Sequence, residues 1–146
     1  MIKYFVKAWD NNKENLREYF KNNKQEEYCN SYENILKAII DNVLNKENVK
    51  FVSDDIDVID YGDYQGTQII TFHVDTYQPT VDDTFYTSVY YGSCSVCDTL
   101  QAIYSWNYYK LPTEEQLNDY MELALDMIQN IKCFGNVEGS EISLNK

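Results

Sequence analysis

A chain of 146 residues that is 44% hydrophobic and 15% aromatic has enough apolar surface to enclose one core and too little length for two. That apolar content excludes a disordered chain, and a formal net charge of −12 with a pI near 4.3 argues against direct binding to nucleic acid or an anionic membrane. No apolar run is long enough to span a bilayer, and Met1-Ile2-Lys3-Tyr4 lacks a signal-peptide core, so a cytosolic chain with reduced thiols is expected.

The opening Lys3-Tyr4-Phe5-Val6-Lys7-Ala8-Trp9 reads as an edge strand or a packed arm. Asp10 then caps a helix to about Asn23, with Leu16, Tyr19 and Phe20 on one face and Lys13, Glu14, Arg17 and Lys21 toward water; it reads as peripheral. Ser31 caps a stronger helix, whose stripe of Ile35, Leu36, Ile39, Ile40, Val43 and Leu44 places it in the core until about Asn45.

From Phe51 the period changes to two. Residues 56–61, 67–74 and 84–91 read as three strands, joined through Gly62-Asp63-Tyr64-Gln65-Gly66 and through residues 77–83, short enough for an antiparallel meander. After Gly92, Ser95 and Asp98 fit a capping box for a helix from Thr99 to about Tyr108, and Thr113 with Gln116 fits another. The second box opens a final helix, in which Leu117, Tyr120, Ala124, Ile128 and Ile131 recur up to Cys133, with Gly135 as its stop. The expected fold is α+β: two helices, a three-stranded antiparallel sheet and two helices, the helices packed on one face of the sheet. Residues 1–135 form one domain in this reading, followed by a polar tail, 136–146.

Cys94 and Cys97 form a Cys-x-x-Cys where a strand runs into a helix, which is the local arrangement of thiol-disulfide oxidoreductases. Against redox chemistry, Asp98 is adjacent, the next cation downstream is Lys110, and the strands before the motif read as antiparallel. A structural zinc site would use Cys94 and Cys97 as one knuckle and need Cys29, Cys133 or His73 to complete a tetrahedron; a second Cys-x-x-Cys is absent. The third reading is a reduced pair that only packs. His73 is the single histidine, and mid-strand it reads as a sheet-face residue, so no catalytic residue is assigned.

Asp54, Asp55, Asp57, Asp60, Asp63, Asp75, Asp82 and Asp83 gather at the edges and turns of the expected sheet. They lack the spaced ligands, central Gly and closing Glu of an EF-hand. Two readings stand: solvation of turns, or carboxylates arrayed like a run of phosphates. Fourteen tyrosines exceed what an interior can hold, so some face outward, where tyrosine suits a protein-binding surface. The partner-binding residues expected on this basis are Asp54, Asp55, Asp57, Asp60, Asp63, Asp82, Asp83, Tyr61 and Tyr64.

The segment Tyr91-Gly92-Ser93-Cys94-Ser95-Val96-Cys97-Asp98-Thr99-Leu100-Gln101, with Asp60-Tyr61-Gly62-Asp63-Tyr64-Gln65-Gly66-Thr67 before it, resembles small acidic proteins encoded by bacteriophages of low-GC bacteria. The resemblance covers the middle third of the chain and implies a phage accessory role. By analogy it implies a DNA-mimicking inhibitor, anti-CRISPR or otherwise anti-defence, acting on a basic, nucleic-acid-binding host protein. No cofactor is implied; zinc on Cys94, Cys97, Cys29 and Cys133 belongs to the alternative reading.

Overall fold

In a computed structural model, which describes residues 2–62, 65–93 and 98–135, the chain folds as α+β. Helices α1 (Ile2–Asn22) and α2 (Tyr32–Asn42) precede strands β1 (Asp57–Gly62), β2 (Gly66–His73) and β3 (Thr84–Tyr91). Then come α3 (Thr99–Tyr104), α4 (Glu114–Gln129) and a short β4 (Lys132–Cys133). The sheet is an antiparallel meander in the order β1-β2-β3-β4, so four strands stand where three were expected.

The opening segment is helical, correcting the expectation of a strand or arm. Phe5, Ala8, Trp9, Leu16 and Phe20 are all buried, a helical stripe that runs straight through Asp10, which is exposed and caps nothing. The aromatic and β-branched run Tyr4-Phe5-Val6 favours a strand locally, and packing of that stripe overrides it. Nor is the helix peripheral. Phe5 lies 5.9 Å from Phe51 and 5.5 Å from Phe85, ring centre to ring centre, while Phe20 packs on Tyr28 and Tyr120 at 4.7 and 5.5 Å.

Ser31 caps α2 as expected, its hydroxyl accepting from the Asn34 N–H at 3.1 Å, and Thr113 with Gln116 forms the capping box of α4. The ends of the last two helices differ from the expected ones. α3 ends at Tyr104, because Ser105 leaves helical geometry with φ 42° and a single 3-10 turn follows. α4 ends at Gln129, where the Asn130 N–H turns back to the last carbonyls, so Gly135 is not its stop. Ile131 and Cys133 belong to an alternating segment instead: both are buried, Lys132 and Phe134 are exposed, and Cys133 pairs with Phe85. Two-residue and 3.6-residue periods coincide over so short a run.

Across β2 and β3 the side chains divide between two faces. Ile70, Phe72, Phe85, Thr87 and Val89 face one way, into a core shared with α1, α2, α3 and α4. Thr87 is buried and donates to the Met127 carbonyl at 2.8 Å, fixing α4 across β3. A second buried polar group, Gln25, ties the first helices to the last. Its amide donates to the Asn107 carbonyl at 2.7 Å and accepts from the Tyr120 hydroxyl at 2.7 Å.

Candidate functional site

The opposite sheet face meets water. By register Ile59, Ile69 and Ser88 lie side by side, as do Tyr61, Thr67 and Tyr90, and Asp57, Thr71 and Tyr86. Ile59 is 43% exposed, Tyr61 64% and Tyr90 57%. Phe134 extends this face beyond β4, its ring 4.7 Å from that of Tyr86. Every residue of β1 is exposed, and among the described residues β1 has no strand on its outer side.

One end of the sheet gathers most of the expected carboxylates. Asp57 pairs across to Thr71, His73 pairs with Thr84, and Phe51 bridges Val74. The Val74 N–H donates to the Asp83 carbonyl at 2.9 Å, and the Asp75 N–H to the Lys50 carbonyl at 2.8 Å. Asp54, Asp55, Asp57, Asp75, Asp82 and Asp83 are thereby brought to one end, five exposed and Asp83 half-buried. Asp83 is committed to the chain: it accepts from the Thr80 N–H at 3.0 Å in a local capping box. Asp60 sits further along β1, accepting from the Tyr91 hydroxyl at 2.6 Å.

His73 stands on the open face at this acidic end. Nε2 lies 3.0 Å from Asp55 Oδ2 and Nδ1 lies 2.9 Å from the Val74 carbonyl. Desolvation is the largest single influence and pulls the imidazole pKa down. The Val74 carbonyl and the carboxylates of Asp55 and Asp75 together outweigh it, so the net shift is upward.

Of the expected zinc ligands, Cys29 and Cys133 are both buried and occupy different surroundings. Burial pushes the Cys29 thiol up to about 11, which makes it a poor nucleophile at neutral pH. Cys133 Sγ points at the carbonyls of Val81 and Asp82, at 3.4 and 3.7 Å. Among the described residues no three His, Cys, Asp or Glu side chains group to hold a metal ion. Cys94 and Cys97 lie outside the described residues, as do Asp63, Tyr64, Ser95 and the tail 136–146. Asp98 is the first described residue after the two cysteines. That carboxylate is only 6% exposed and accepts from the Tyr32 hydroxyl at 2.9 Å, the Gly92 N–H at 3.0 Å and the Gln101 N–H at 3.3 Å. Asp98 is therefore itself the cap of α3. A cleft of about 220 Å³ opens beside it, lined by Cys29, Tyr32, Gln68, Tyr91 and Tyr104 among others.

No protein-family model, curated protein or solved structure matches the chain. No helix among the described residues is long and apolar enough to cross a membrane.

The sequence itself carries one signal for this surface. Between Lys50 and Lys110, 59 consecutive residues contain nine Asp and neither Lys nor Arg. The remaining 87 residues carry fifteen acidic against twelve basic groups, so nine of the twelve net negative charges fall on the segment that holds β1 to β3 and α3, eight of them before Asp98. Charge spread for solubility alone has no cause to segregate in this way. Ile59, Tyr90 and Phe134 of the open face lie outside the expected partner-binding set.

Proposed function

We propose that this protein is a non-enzymatic binding protein whose open sheet face and acidic β1 edge occupy a basic site on another protein. A phage-type inhibitor of a nucleic-acid-binding host enzyme, as an anti-CRISPR or other anti-defence factor would be, is the use this reading favours, in the cytoplasm of an infected bacterium. The observation that supports it is the segregation of charge onto the segment that holds β1 to β3 and their turns, beside exposed tyrosines.

The magnitudes require both components. An exposed ion pair contributes about 0.2–1 kcal/mol, so the carboxylates at the acidic end amount to a few kcal/mol at most and are weakened by salt. An aromatic anchor desolvated at the centre of an interface can contribute about 2 kcal/mol or more, and Tyr61, Tyr90 and Phe134 are placed to supply such anchors. Charge would steer the encounter, and the apolar face would hold the complex.

The test is capture of a partner from a lysate of a low-GC bacterium at low and high salt, with duplex DNA as a competitor. The reading expects a basic, nucleic-acid-binding protein that is released by salt and displaced by DNA. Capture that is indifferent to both would contradict it.

A further inference from the structure

β1 combines three properties seldom left together on a strand. Among the described residues it is an edge, all six of its residues are exposed, and it contains neither Pro nor Lys, two common guards of such edges. An edge strand offers a row of backbone N–H and C=O groups with no partner in the sheet, which is a template for one more strand. From this we infer that β1 takes up an extended basic segment of the partner as an added strand of the sheet. The inference rests on the binding function proposed above and specifies how the partner is engaged.

Charge decides between the two simplest occupants. In the antiparallel registers of greatest overlap between two copies of β1, Asp60 of one copy lies opposite or diagonal to Asp57 or Asp60 of the other. Asp54 and Asp55 add to that repulsion from the flank, so the aspartates that leave the edge open to others close it to a second copy. An incoming strand with Lys or Arg at those positions meets the opposite balance.

The spacing sets its pattern. Asp57 and Asp60 are three residues apart and lie on opposite faces of the strand, with Val58 and Ile59 between them. The complementary segment therefore has two cations three residues apart, separated by β-branched residues that pair with Val58 and Ile59.

The probe is a six-residue peptide of sequence Thr-Lys-Val-Val-Lys-Thr, its Glu-for-Lys counterpart, and two versions N-methylated on alternate backbone amides, one in each parity. Only one parity of amides faces β1 in an added strand. The Lys peptide is expected to bind and the Glu peptide not to. One methylated version should keep its affinity while the other loses about tenfold or more. Equal binding by both methylated versions would overturn strand addition and leave the acidic-surface reading standing. Failure of the Lys peptide to bind at low salt would overturn both. A dimer of the chain that D60K strengthens would overturn the basic occupant in favour of a second copy.

Discussion

Both ring nitrogens of His73 face groups that have no proton to give, the Val74 carbonyl and the Asp55 carboxylate. Both contacts are satisfied only when the imidazole carries two protons, in keeping with its raised pKa. The folded-state pKa thus stands above the unfolded value of about 6.5. The stabilisation is fully present below that unfolded value and is lost as pH rises through the folded one. Since Asp55 is largely exposed, the effect is small, at most about 1 kcal/mol. Urea denaturation of the wild type and Asp55→Asn should differ more at about pH 5.5 than at about pH 8.5. A difference that grows toward alkaline pH would contradict the tether. Little at this scale could be read beforehand. The sequence places a histidine in mid-strand, but register alone brings Asp55, eighteen positions away, against it.

At the scale of elements, strands β1 to β3, helix α2 and the capping box of α4 were legible because each rests on a local pattern: period two, a broad apolar stripe, and Thr113 with Gln116 three residues later. What was not legible depends on distant contacts. The first half of α1 is helical because Phe5 finds Phe51 and Phe85, and β4 exists because Cys133 meets Phe85 after Asn130 closes α4. Phe5→Ala tests the first of these. As a fully buried ring it should cost about 3–5 kcal/mol in denaturant unfolding, whereas an arm lying on the surface would lose under about 1 kcal/mol.

For the molecule as a whole, the residues outside 51–109 are nearly balanced in charge, and the segment from Phe51 to Tyr109, with β1 to β3 and the turns around them, carries most of the excess. Of the expected partner residues, Asp57, Asp60 and Tyr61 lie on β1, Asp54 and Asp55 just before it, and Asp82 and Asp83 in the turn before β3; Asp83 is used in a local cap, Asp55 is shared with His73 and Asp60 with Tyr91. Composition revealed the excess. Only the pairing of β1, β2 and β3 showed that it sits beside an open face with exposed tyrosines, since the turns that collect aspartates are indistinguishable in sequence from ordinary solvated turns. The most direct measurement compares two variants of equal net charge for binding to poly-lysine at low salt. One neutralises Asp54, Asp57 and Asp82 to Asn, and the other neutralises Asp10, Glu14 and Glu122 on α1 and α4 to their amides; all six side chains are exposed. The sheet variant is predicted to lose about tenfold or more in affinity while the helix variant stays close to wild type. Equal losses in the two would show that net charge alone governs binding, and that the sheet is no recognition surface.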